Sequence, residues 1–453
     1  MTITQNSPSA VSIFAHGFLI PAGLLQPPPS ILPAQYAPWE DALAEAQGLP
    51  LQLHDVSRAA HNWRTNIRAM PVLPTAPLLC DVGLRLRARH VLIYLLHFFV
   101  HSLGEGPDSP HVPASIAIPL LIISDKLDLP PVLTYADTEY YNFAWAEPGT
   151  LVSGNEPRSM KILTTFSGTG DEDHFLLTSL KIEEEGVRAL HVMSQALDVL
   201  HRDQLGTKPS ADSMADLFRR LASHVRIMDR ILEAVCEGCD PAPYYALVRP
   251  WFVGCPEDER SAWVFDVKGQ LDELEEMTLS KAVEGSQWVR TGGRGEITMG
   301  KMAGASAAQS SIIQALDAFL GIDDKTHGKS TGEEAERKDR FLAEMRCYLP
   351  REHRGFLREL GVQATGLREW VLGASVAEGE VTAAYNDAVN ALRRFRTTHL
   401  GVATLYIVKQ RSHEESEADE QGVDAVKGTG GTSLVSFLKG VRDRTANATL
   451  SAI

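Results

Sequence analysis

Apolar residues recur at three- and four-residue spacing through most of the chain, and that spacing predicts helices. The pattern runs over about 173–206, 211–238, 305–320, 336–347, 351–361 and 379–411. Shorter amphipathic stretches lie at Trp39–Gln47 and Asn62–Met70. A longer helix is expected from about Leu79 to Leu103, with Arg85, Arg87 and Arg89 in its first half and an apolar second half. Only Met160–Asp173, with the turn SGTGDED, is expected to hold short strands. The fold class read from this pattern is mainly α.

Prolines divide the chain. Residues 1 to about 40 are Pro-rich, with Pro27, Pro28 and Pro29 in a row, and are expected to drape over a core. In VPASIAIPLLIISDKLDLPPVLTYAD, the residues Pro113, Pro119, Pro130 and Pro131 are expected to break the segment into short pieces. This is the best domain boundary: a smaller α-rich unit over 1–125, a junction over 126–134, and a larger helical unit over 135–453. Residues 323–335 read as a surface loop, and the acidic, Gly-ended stretch 412–432 as a flexible segment.

Composition narrows the classes. The 453 residues are 44% hydrophobic and 22% charged, ordinary for a globular protein, and the net charge of -15 offers no basic stripe for nucleic acid. Five scattered cysteines suit a reducing compartment, and the CxxC of Cys236 and Cys239 lacks the second pair a zinc site wants. The first residues carry no charged-then-apolar leader, and the run Val91–Val100 is too short to span a bilayer. A cytoplasmic protein with no membrane or nucleic-acid partner is expected.

One histidine invites chemistry. Leu392, Phe395, His399, Val402 and Tyr406 fall at helical spacing on one apolar face, so His399 points into a core. A buried histidine bonded to a carbonyl or carboxylate would do this. So would the proximal ligand of a five-coordinate haem, which needs one imidazole and leaves the other face open. Periodicity does not separate the two.

Other segments do. LDLPPVLTYAD at 127–137, GASAAQSSIIQALDAFLGI at 304–322, LAEMRCYLPREHRGFL at 342–357, RRFRTTHL at 393–400 and KGTGGTSLVSFLKGVR at 427–442 resemble, in order, segments of the indoleamine 2,3-dioxygenase family. The resemblance implies haem b, ferrous when active, between a small N-terminal domain and a large helical one. It implies opening of the pyrrole ring of L-tryptophan, or a related indole, by O2 to N-formylkynurenine. That step heads the kynurenine pathway, with NAD synthesis or a secondary metabolite downstream. An unidentified electron donor and a monomeric state are implied too.

Carried over position by position, the resemblance makes His399 the proximal ligand and pairs Arg396 with Asp317 beside the haem. Tyr135, Thr138, Phe175, Ser179, Tyr244 and Phe252 match pocket positions. Arg249 matches an arginine for the substrate carboxylate, a role suited to two parallel hydrogen bonds from a guanidinium. Ala305, Ser306 and Ala307 match a small-residue loop, and Thr429, in GTGGT, a closing loop. Each has a plainer reading: a helix–helix salt bridge, core packing, a surface arginine, or a helix cap at Ser306. Thr138, Tyr244, Ala305 and Ala308 depart from common family residues, by changes worth roughly 1–3 kcal/mol in substrate discrimination. The matched distal positions offer no histidine or carboxylate as a base, because His174 should point away from its neighbour Phe175. A diverged indole specificity, a haem sensor without turnover and a helical scaffold remain the alternatives.

Overall fold

The computed structural model describes residues 12–14, 16–21, 24–104, 109–146, 159–204, 211–258, 260–268, 288–293, 295–322, 341, 343–375, 380–414 and 434–451. Its helices of eight or more residues are α1 Ala37–Gly48, α2 Arg58–Ala69, α3 Val82–His101, α4 Ala114–Leu127, α5 Gly170–Gln204, α6 Ala211–Glu233, α7 Ser311–Leu320, α8 Arg351–Gln363, α9 Leu367–Ser375, α10 Glu380–Ala403 and α11 Leu434–Asn447. The mainly α reading holds, and most of the periodic segments are helices within a few residues of their expected bounds. The surface loop 323–335 and half of 336–347 lie outside the described residues, as does 412–432 beyond Glu414, where a helix Lys409–Glu414 ends.

Two expectations are corrected. Pro119 does not break its segment. α4 runs through it, because every residue from Ser115 to Ser124 is buried. An interior proline costs about 3 kcal/mol, and burial of one Ile or Leu returns about half of that or more, so packing wins. The helix stops instead at Asp128, whose φ of 55° is left-handed. Strands also occur beyond Met160–Asp173. Met160–Ile162 does pair antiparallel with Phe143–Trp145. A second sheet, in the order His111–Val112, Val264–Asp266, Glu296–Met299, Val289–Gly293, was not expected, because strands of two to five residues are too short to print a period-two pattern. The SGTGDED turn opens α5 rather than ending a strand. Thr169 Oγ1 accepts from the Glu172 amide, and the Glu172 carboxylate reaches back to the amides of Phe166 and Ser167, a reciprocal cap.

Two apolar cores result. One gathers α5–α8 and α10 with Ile13, Phe14 and Phe18, so the N-terminal segment is indeed packed on a core. The other joins α1–α4 to Val235–Phe252, Trp263, Phe265 and Tyr348. Between α3 and the segment after α4, Arg89 is fully buried and bonded to Asp137, Ser124 and the carbonyls of Pro130 and Val132. Asp137 also accepts from the amide and hydroxyl of Thr134. This knot fixes the one-turn π-helix Ala136–Tyr140, and with it the backbone beside Tyr135.

Candidate active site

α10 is the wall on which the site is built. Val381, Ala384, Tyr385, Ala388, Val389, Leu392, Phe395 and Arg396 are among its buried residues, and the same face continues through His399. Five residues later the helix widens into a π-turn, Thr404–Val408, which carries Tyr406 inward. Arg396 stands nearly one turn before His399. Both carboxylate oxygens of Asp317, on α7, accept from its Nη2, at 2.7 and 2.6 Å. Its Nη1 reaches the Thr445 hydroxyl on α11. The guanidinium therefore ties three helices together behind His399.

His399 lines a cavity of about 250 Å³. Burial, helped by the nearby Arg396 charge, pushes its imidazole down to about 4, so the ring is neutral near pH 7 and keeps a lone pair for a metal. Neither ring nitrogen has a hydrogen-bond partner among the described residues.

The cavity collects nearly all the residues singled out from sequence. Tyr135, Thr138, Phe175, Ser179, Tyr244, Phe252, Ala305, Ser306 and Ala307 line it, together with Asp317, Arg396 and His399. Phe175 and Ser179 lie one turn apart on α5. The Phe175 ring is 4.6 Å from that of Tyr244, which in turn is 5.5 Å from Tyr406. The loop 305–307 enters the wall because Gly304 lets its backbone meet that of Phe252; a Cβ there would overlap the Phe252 carbonyl. Gln309 joins the pieces, accepting from the Tyr135 amide and donating to the Gly304 carbonyl. Ser306 caps only a short 3-10 turn, Ala307–Gln309, and Ser310 caps α7.

Arg249 is placed differently. It does not line the cavity; its guanidinium lies 5.6 Å above the Tyr245 ring, between the positions of Tyr244 and Phe252 in the chain. Thr429 and the GTGGT loop lie outside the described residues. His174 turns away, as expected, and faces the Ala234 carbonyl.

Beside the matched positions, the lining also holds a carboxyl group that the sequence reading did not single out. Glu139 lines the cavity, 2% exposed. Burial and the neighbouring Glu183 hold its carboxyl well above the usual carboxylate range. Glu183, also buried, accepts from the Tyr135 and Ser310 hydroxyls and is pushed up to about 7 by burial. In the sequence, Tyr135, Thr138 and Glu139 stand at i, i+3 and i+4, the spacing of one helix face, so the place of Glu139 on this wall was legible from its position.

The wall suits a flat, apolar, iron-bearing cofactor. Its apolar residues include Ile182, Leu232, Val235, Ile313, Phe395 and Val402, and its neutral imidazole has no partner among the described residues. Haem meets both features.

Comparison with known proteins agrees over the whole length. The family model described as indoleamine 2,3-dioxygenase matches residues 13–448. Indoleamine 2,3-dioxygenase 1 of Rattus norvegicus is 31% identical over 444 residues, spanning 96% of this chain and 93% of the relative. Indoleamine 2,3-dioxygenase acdA of Aspergillus candidus is 31% identical over 423 residues, spanning 93% and 92%. A myoglobin of Haliotis madaka is 29% identical over 425 residues, spanning 93% and 94%. Matched from residue 13 to residue 448, the chain belongs to the indoleamine 2,3-dioxygenase family.

Proposed function

We propose that the cavity beside His399 is where this chain opens the pyrrole ring of L-tryptophan with O2. The observation that carries this reading is one cavity with a neutral, unpartnered imidazole in one wall and aromatic and small residues in the other. Haem b held by His399 supplies the oxygen chemistry. The residues of the chain supply position and dryness. Arg396 and Asp317 hold the helix that bears His399. Phe175, Tyr244 and Phe252 give a flat ring apolar faces to pack on. Ser179 and Thr138 offer small polar groups, and Ala305–Ala307 leave room for substrate. Arg249 takes the substrate carboxylate, and Thr429 belongs to a segment that closes over it.

Residues 1–125 and 135–453 are read as the smaller and larger domains, joined over 126–134, where the backbone is irregular between α4 and the π-turn. Free, scattered cysteines support a reducing, cytoplasmic setting. No helix among the described residues is long and apolar enough to cross a membrane. A monomer, an external electron donor that keeps the iron ferrous, and a product that enters kynurenine metabolism complete the reading.

Reduced, aerated holoenzyme given L-tryptophan is expected to form a product with the mass and ultraviolet spectrum of N-formylkynurenine. Reversible O2 binding with no product would favour an oxygen carrier, the role that the name of the Haliotis relative gives that protein.

A further inference from the structure

Glu139 is an expensive residue in a place where an apolar one would fit. It is 2% exposed, it lines the cavity, and its Oε2 has no hydrogen-bond partner among the described residues. Buried polar atoms are nearly always paired, and one that is not costs its full desolvation. The position is also rigid. Asp137, two residues earlier in the same π-turn, is clamped by Arg89 and Thr134, which fixes the backbone that bears Glu139. Thr138 is a hydrogen-bonding neighbour of the Glu139 carboxyl, and a buried acid that still has one oxygen without a partner, on a fixed backbone at a cavity wall, can take a partner from the ligand.

The chemistry of the acid narrows that partner. Burial and the adjacent Glu183 hold its carboxyl well above the usual carboxylate range, and a carboxyl oxygen can accept from an N–H or O–H group of a ligand. The neighbours that share the cavity, Tyr135, Phe175, Tyr244 and Phe252, are aromatic, which suits the ring end of an indole amino acid better than its charged end.

We propose that Glu139 is a specificity-determining residue, whose carboxyl hydrogen-bonds an N–H or O–H group on the ring system of the bound indole. It selects indoles that carry such a group where the acid can reach it and penalises those that do not, because rejection by an unpaired buried polar group is strong. The inference rests on the dioxygenase reading of the same cavity.

The test uses holoenzyme of the wild type, Glu139→Gln and Glu139→Leu. L-tryptophan, 5-hydroxy-L-tryptophan and 1-methyl-L-tryptophan are compared by dissociation constant, from the change in haem absorbance, and by kcat/KM. If the ring N–H is read, Glu139→Leu lowers the preference for L-tryptophan over the 1-methyl compound by about tenfold or more. If a ring hydroxyl is read, the preference for the 5-hydroxy compound over L-tryptophan falls instead. Glu139→Gln keeps the wild-type ranking, and the melting temperature of Glu139→Leu is equal or higher, which a structural role would not allow. Both ratios unchanged within about twofold in Glu139→Leu would overturn the proposal. So would a Leu variant that fails to fold, since the acid would then have a structural partner. Failure of every protein to convert L-tryptophan would instead overturn the dioxygenase reading, while the binding ratios still report on Glu139.

Discussion

Two inward histidines differ in what surrounds their rings. His97, on α3, is fully buried, and both ring nitrogens are used. Its Nε2 accepts from the Leu133 amide at 3.0 Å, which makes Nδ1 the protonated nitrogen that donates to the Trp251 carbonyl at 2.8 Å. His399, on α10, has no such partner among the described residues and faces a cavity. α3 is buried on every side around His97, from Leu86 to Val100, whereas α10 buries one face. What differs is what the rest of the chain brings to the ring: backbone groups in one region, open space in the other. The first histidine holds the fold together, and the second is left for an iron atom.

Exchanging the two losses breaks or sharpens that contrast, and the largest effect comes first. His399→Ala is expected to fold, with its helical circular dichroism intact, and to purify without a normal haem Soret band. Full haem retention with an unchanged spectrum would refute the ligand role. His97→Ala should do the reverse. It leaves a buried amide and a buried carbonyl unpaired, at about 1–3 kcal/mol each, so denaturant melts should show the loss while haem per folded protein stays near one.

The two regions also each contain a buried ion pair. Arg89 and Asp137 have fully buried side chains, and those of Arg396 and Asp317 are 7% exposed. Removing one partner of such a pair costs about 3–5 kcal/mol, because the other charge stays behind. Asp137→Ala and Asp317→Ala should therefore destabilise to a similar degree in urea melts. Only Asp317→Ala should also change the Soret position and speed haem transfer to an acceptor such as apomyoglobin. Equal haem loss in both would mean that the pair behind His399 has no special role.

The contrast also explains what the sequence could reveal. The face of α10 was legible because Leu392, Phe395, His399, Val402 and Tyr406 repeat at the helical period. The resemblance supplied the opposite wall, because Tyr135, Phe175, Tyr244, Phe252 and the 305–307 loop come from distant stretches that no local period connects. Glu139 escaped both. It follows Tyr135 by four residues, the spacing of one helix face, but its stretch is too short to print a period, and the segment 127–137 that resembles the family stops before it. Arg249 was legible as a residue type beside Pro250, but its stacking on Tyr245, four residues earlier, rather than its presence in the cavity lining, is seen only in the structure. α4 and the four-stranded sheet were missed for related reasons: burial overrode Pro119, and strands of two to five residues leave no pattern.

A third measurement separates the walls by pH. Glu183 is pushed up to about 7 by burial, from 4.5. Its folded form holds a proton that the unfolded chain has released, so stability falls as pH rises from about 4.5 to about 7, by on the order of 3 kcal/mol. His399 works in the opposite direction. Lowered to about 4 from 6.5, it makes the fold lose stability as pH falls through that range. His101 and His353, lowered by burial to about 4 and about 3, act in the same direction as His399. The contribution of Glu183 is therefore read as the difference between Glu183→Gln and wild type. The variant should gain on the wild type steadily from pH 5 to pH 7. A flat difference would mean that Glu183 is ionised throughout.

Arg249 gives the smallest expected effect and the sharpest question about the distal wall. Its guanidinium rests above Tyr245, outside the lining, while Tyr244 and Phe252 on either side of it in sequence line the cavity. A charged hydrogen bond to a substrate carboxylate is worth about 1.5–3 kcal/mol, so Arg249→Ala should lower kcat/KM for L-tryptophan roughly 10- to 150-fold. Tryptamine, which has no carboxylate, separates this loss from mere loosening of the wall. The substitution should leave tryptamine binding within about twofold, because no carboxylate bond is there to lose. Equal losses for both ligands would show that Arg249 acts through packing on Tyr245 and Tyr244. Loss confined to L-tryptophan would mean that the guanidinium leaves Tyr245 when substrate arrives, so that the distal wall, unlike the braced wall behind His399, is completed by its ligand.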